Sequence, residues 1–155
     1  AWSESKTSSV GETKNIGRAV SLRVDDRIKA LLLVPNNQLA TAKARKLLPE
    51  IIPHQDAVLN SSRTALLVHA LAERPDLLFI ATEDLLHQKY RAQAMPKTIA
   101  LVEKLRGAGL AAVVSGAGPS VMVLYSGAED EIDQLESVAP GFTAMKLAIA
   151  KTGAQ

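Results

Sequence analysis

The chain has 155 residues, a net charge of +2 and 47% hydrophobic residues, which fits one globular domain with a proper core rather than a disordered or membrane protein. That small charge and an aromatic content of 3% leave neither an electrostatic footprint nor stacking platforms for nucleic acid, although the pI is about 9.0. No apolar run is long enough to span a bilayer, there is no cysteine for a disulfide or thiolate metal site, and no apolar amino-terminal stretch is present, so the expected location is cytoplasmic.

Ala1 is not an initiator methionine, and Ser3 to Gly17 is rich in Ser, Thr, Lys and Glu, which reads as a loop in a chain that starts partway through a larger protein. Val20, Leu22 and Val24 alternate with polar residues, and Ile28 to Val34 is an apolar run closed by Pro35; with Asp25-Asp26 as the turn, the pair predicts a hairpin. Thr41 stands as the N-cap of a short helix limited by Pro49. A longer helix is expected from about Pro53 to before Pro75, with Ala57, Val58, Ala65, Leu66, Val68, His69 and Leu71 as its apolar face.

Pro75 suits the start of a third helix running through Leu85, followed by the polar segment His87 to Arg91. Pro96 opens a fourth, with Ile99, Val102 and Leu105 inward and Gly107 or Gly109 past its end. Leu110 to Val114 and Val121 to Tyr125 read as two strands joined by Ser115 to Ser120, then a helix over Asp130 to Val138 and a closing strand over Phe142 to Ala150. Strands and helices do not alternate strictly, so an α+β layer is expected rather than a doubly wound sheet. Met95, Met122 and Met145 read as core fillers.

Four features offer chemistry. Gly116 and Gly118 permit positive φ in the Ser115 to Ser120 loop and let backbone approach a phosphate, or simply make a hairpin turn. Arg45 and Arg91 lie near Pro-limited helix ends, where two guanidinium forks grip a carboxylate or else remain solvated surface charges. His87 offers an acid, a base or a ligand, or is simply a helix-end hydrogen bonder beside Asp84 and Tyr90. Asp56 and Asn60, four apart, orient a ligand or cross-link their helix. The histidines lack zinc-site spacing, and there is no G-x-x-x-x-G-K-[ST] loop or G-x-S-x-G elbow.

In order along the chain, T-A-K-A-R-K-L-L-P from Thr41, Asp56 to Asn60, D-L-L-H-Q-K-Y-R from Asp84, and S-G-A-G-P-S from Ser115 resemble the C-terminal half of bacterial homoserine kinases. The last stretch is similar to the third signature motif of the whole GHMP small-molecule kinase superfamily. The resemblance implies a GHMP-kinase C-terminal domain over residues 18–155, with a mostly antiparallel sheet of about four strands and helices on one face, in a ferredoxin-like layout. Residues 1–17 would be loop and remnant of an N-terminal ATP-binding domain.

It also implies a reaction, transfer of the ATP γ-phosphoryl group, with Mg2+, to the hydroxyl of L-homoserine in threonine biosynthesis. Arg45 and Arg91 would hold the substrate carboxylate, with Thr41, Asn60 and His87 in support. Ser115, Gly116, Ala117, Gly118, Pro119 and Ser120 would support the nucleotide phosphate site, and no catalytic residue would lie in this stretch. The upstream phosphate loop and acidic magnesium-side residues are absent, so the fragment alone is expected to be inactive and to self-associate, as a homodimer, through surface the other half covers. Three other readings remain open: another GHMP small-molecule kinase, an amino-acid-binding regulatory α+β module without catalysis, and a ligand-free structural or interaction domain.

Overall fold

A computed structural model of the chain describes residues 2–7, 13–18, 22–36, 41–127 and 139–150. In order these form β1 (Trp2–Thr7), β2 (Thr13–Arg18), β3 (Lys29–Pro35), α1 (Thr41–Lys46), α2 (His54–Ala72), α3 (Leu78–Ala81), α4 (Gln88–Arg91), α5 (Pro96–Gly107), β4 (Ala111–Val114), β5 (Val121–Tyr125) and β6 (Phe142–Leu147). Short 3-10 turns, Pro75–Leu77 and Ala92–Ala94, lead into α3 and α5.

β3 to β6 make one antiparallel sheet in the order β4-β5-β3-β6, with the first of the four strands central and the last at an edge. This is the α+β, ferredoxin-like layout expected from the sequence. On one face Leu31 and Leu33 of β3 stand opposite Val123 and Val121 of β5, which in turn face Ala112 and Val114 of β4. α5 covers them with Leu101, Val102 and Leu105, a 3-4 spacing that puts all three on one stripe. A second cluster gathers Ala70 of α2, Leu78 and Ala81 of α3, Ile28 and Ala111 at the β4 end of the sheet.

The outer edge of β4 is the part of the sheet that most constrains the helices. Edge N–H and C=O groups need partners. Arg106 of α5 donates from Nη1 to the Ala112 carbonyl (3.1 Å) and to Thr82 Oγ1 (3.0 Å), and from Nη2 to the Phe79 carbonyl (2.7 Å). Its guanidinium also stacks 4.4 Å from the Phe79 ring centroid. Burial pushes its pKa below the ordinary arginine value, with Glu83 acting in the opposite direction. One side chain thus joins α3, α5 and the sheet edge.

Several expectations are corrected. The Ser3 to Gly17 stretch contains an antiparallel pair, with Glu4 opposite Ile16 and Lys6 opposite Lys14, a polar pattern without the apolar alternation that marks a half-buried strand. The hairpin expected from Val20 to Val34 does not form: residues 22–25 are not strand, and β3 pairs with β5 and β6. The Asp25 N–H donates instead to the Leu71 carbonyl (2.8 Å), which ties this stretch to the end of α2. Arg27 hydrogen-bonds the Asp25 carboxyl and holds its pKa down at about 2.

The third helix stops at Ala81 rather than reaching Leu85, because Thr82 Oγ1 bonds back to the Leu78 carbonyl and the following backbone turns onto Asp84. On α2 only Ala70 is fully buried, and Val58 and Val68, expected inward, are 50% and 45% exposed. Of the three methionines Met95 is buried, but Met145 is 48% exposed on the edge strand β6. α1 begins at Thr41 itself, and the Thr41 side chain lies outside the described residues. The strand at Phe142 ends at Leu147, and the helix expected over Asp130 to Val138 lies outside the described residues.

Arg106→Met leaves two carbonyls without their donor and should destabilise the domain by about 3 kcal/mol. Urea denaturation reads this directly, and a loss below about 1 kcal/mol would show that water replaces the guanidinium.

Candidate functional site

The site is assembled from two stretches, 84–91 and 115–120. Asp84 organises the first. Its Oδ1 accepts the N–H groups of Leu86 (3.0 Å) and His87 (3.1 Å), and its Oδ2 accepts the N–H of Gln88 (2.8 Å). These are donors that the first turn of α4 cannot pair internally. His87 Nδ1 lies 3.0 Å from Asp84 Oδ1, the helix-end hydrogen bond that was one of its two readings.

The same segment is stitched to α2 by a polar stripe at positions 56, 60 and 63, one helical face. Asp56 pairs with Lys89, Asn60 Oδ1 accepts the Leu85 N–H (3.0 Å), and Arg63 Nε donates to Glu83 Oε2 (2.7 Å). The Asp56 and Asn60 side chains bond to the 84–91 segment rather than within their own helix, so neither capping nor cross-linking of α2 is what they do here.

The second stretch connects β4 to β5. Gly116 and Gly118 have φ of +58° and +84°, a conformation that favours glycine, and Ser115 N–H donates to the Ser120 carbonyl (2.8 Å). A Cβ on Gly118 would lie 2.7 Å from Met95 Cε and Sδ, whereas one on Gly116 meets nothing within 4 Å. Gly118 N–H donates to the Ser115 carbonyl (3.0 Å), and Thr98 Oγ1 on α5 donates to the Pro119 carbonyl (2.7 Å). The loop is therefore anchored at both ends, with Ala117 between its two glycines.

Arg91 joins the two stretches. It is 7% exposed, its Nη1 donates to the Gly116 carbonyl (3.1 Å), and its Nε is buried without a hydrogen-bond partner among the described residues. An unpaired donor on a buried cation is costly in a closed structure. Arg91 is also one of the residues lining a cavity of about 280 Å³, with Asp84, His87 and Gln88 on one side and Val114 and Gly116 on the other. That is below the roughly 300–1,000 Å³ of clefts for drug-sized ligands and suits a smaller molecule. A larger cavity of about 540 Å³, between residues 22–29 and 147–150, contains none of the motif residues.

Arg45 is exposed on α1 and does not line the Arg91 cavity. The structure thus joins Arg91, His87 and Gly116 at one cavity and leaves Arg45 outside its lining. Asn60 faces the Leu85 backbone rather than that cavity. Among the described residues no group of three or more His, Cys, Asp or Glu is placed to hold a metal ion, and no helix is long and apolar enough to cross a membrane. Sequence reasoning passed over Gln88, whose Oε1 accepts the Val114 N–H (2.6 Å), and Asp84 as an organiser; the Asp four residues before Gln was the available signal.

Residues 62–140, about half the chain, match the family described as "GHMP kinases C terminal". The chain belongs to that family. As a GHMP kinase C-terminal domain it has full relatives among bacterial kinases: it is 49% identical over 138 residues to the homoserine kinase of Streptomyces coelicolor, covering 88% of this chain and 44% of that protein. It is 56% identical over 109 residues to the homoserine kinase of Leifsonia xyli, covering 70% of this chain and 34% of that protein. The GHMP domain therefore spans less than half the length of these curated relatives. Its fold matches the crystal structure of homoserine kinase from Cytophaga hutchinsonii with a TM-score of 0.66 at 20% identity, covering 87% of this chain and 44% of that one.

The glycines of the GHMP loop are unequal. Gly118→Ala should lower stability by about 2 kcal/mol or more, adding overpacking against Met95 to backbone strain, and Gly116→Ala by about 1 kcal/mol from strain alone. Thermal or urea unfolding of both variants checks the ranking, which the reverse order would contradict.

Proposed function

We propose that this chain is the substrate-side half of an ATP-dependent homoserine kinase, in which Arg91 holds the carboxylate of L-homoserine. The observation that carries the reading is the buried Arg91, which lines a small cavity, with Nη1 committed to Gly116 and Nε lacking a partner among the described residues. A carboxylate supplies the acceptor that the Nε lacks, and charge-assisted bonds of this type are about twice as strong as neutral ones. Arg45, whose exposed guanidinium has no ion pair among the described residues, is proposed as a second fork on the same carboxylate.

With its carboxylate fixed, the substrate's side-chain hydroxyl would extend toward the Ser115 to Ser120 loop, which in this reading supports the nucleotide phosphates. Phosphoryl transfer depends mainly on such positioning and on electrostatic stabilisation, so residues that only bind and orient still govern rate. ATP, Mg2+ and the phosphate-binding loop belong, in this proposal, to an upstream half, and this chain alone is inactive. His87 and Thr41 are assigned supporting roles at the substrate end, and Asn60 supports it indirectly by holding the 84–91 segment against α2.

In a full-length protein containing this domain, Arg91→Lys should raise the homoserine KM by about 10- to 100-fold, the loss of one charge-assisted hydrogen bond, while the ATP KM stays within about twofold. Arg45→Lys should act in the same direction. Steady-state kinetics with both substrates checks this, and an unchanged homoserine KM in both variants would remove the assignment.

A further inference from the structure

We propose that Gln88 is a positioning residue for Arg91, itself held by Asp84, and that it sets how tightly the proposed carboxylate site binds. The inference rests on the reading of Arg91 as the carboxylate anchor. β4 is an edge strand, and the bond from Ser115 N–H to the Ser120 carbonyl makes residues 115 and 120 a hydrogen-bonded pair. Residues 114 and 121 are then a non-hydrogen-bonded pair, so the Val114 N–H points away from β5 toward the free edge. Among the described residues no strand meets it there. The Gln88 side-chain carbonyl takes it instead, at 2.6 Å.

Gln88 and Arg91 are three apart on α4 and share a face, so the clamp on Val114 and the donation to Gly116 orient the same helical turn against the same hairpin. Asp84 completes the arrangement by accepting the Gln88 N–H at 2.8 Å, which fixes the start of that turn. Arg91 reaches the Gly116 carbonyl with Nη1 and stays in the cavity lining only while α4 holds this orientation. Gln88 also lines the cavity, but its side-chain oxygen is committed to the strand edge. It acts on the anion through Arg91.

The test uses the full-length protein and a double-mutant cycle. Gln88→Met keeps volume and loses the acceptor; it should raise the homoserine KM about five- to tenfold, with kcat and the ATP KM within about twofold. In an Arg91→Lys background the same change should add less than about twofold, because the group it positions is already gone. If Gln88→Met does not fold, Gln88→Asn, which ends one methylene short of Val114, gives the same readout. An unchanged KM in the single variant, or effects that multiply in the double variant, overturns the positioning role. An Arg91→Lys protein with wild-type homoserine KM instead overturns the carboxylate reading on which the role rests, so the two failures are distinct.

Discussion

The unpaired outer edge of β4 is the constraint from which the rest of this domain follows. A strand edge left bare presents backbone donors and acceptors that must be satisfied or covered. Here the Ala112 carbonyl is met by Arg106 and the Val114 N–H by Gln88, so two side chains from α5 and α4 stand where another strand would lie. Meeting those two groups brings α3, α4 and α5 to the sheet in fixed order. It also carries Arg91 to the glycine loop, because Gln88 and Arg91 share one turn of α4 and Gly116 lies two residues beyond Val114.

Within the segment 84–91 most polar groups are spent on architecture. Asp84 is saturated by three backbone N–H groups, and Lys89 is paired with Asp56. Asn60 and Arg63 pin the neighbouring loop to α2. Against this background the free Arg91 Nε is an exception, and a buried polar exception is where function is best sought. The division of labour is physical: a dense polar scaffold holds one cation still, and preorganisation reduces what a ligand must give up on binding.

Much of the fold was legible because its signals were local. α2 and α5 are bounded by Pro53, Pro75, Pro96 and Gly109, and β4 and β5 are short apolar runs around a glycine loop. What was not legible depended on partners distant in sequence. Val20 to Val24 had the alternation of a strand, yet the Asp25 N–H was claimed by Leu71. β1 and β2 had no apolar pattern to read. The outward turn of Val58 and Val68 on α2 is set by the polar stripe at Asp56, Asn60 and Arg63, which faces the 83–89 segment. For the site, the residues themselves offered Arg45, Arg91 and the glycine loop, of which Arg91 and Gly116 line one cavity and Arg45 does not. Arg106 carried no sequence signal, because its acceptors, Phe79, Thr82 and Ala112, are brought together only by the fold.

The claim at the centre of this account is that a buried guanidinium waits for a small carboxylate. A crystal structure of the full-length protein with L-homoserine bound tests it most directly. The account predicts a substrate carboxylate oxygen about 3 Å from Arg91 Nε, with Nη1 still on the Gly116 carbonyl. A carboxylate seated elsewhere, with Arg91 Nε still unpaired or turned onto a protein group, would contradict it.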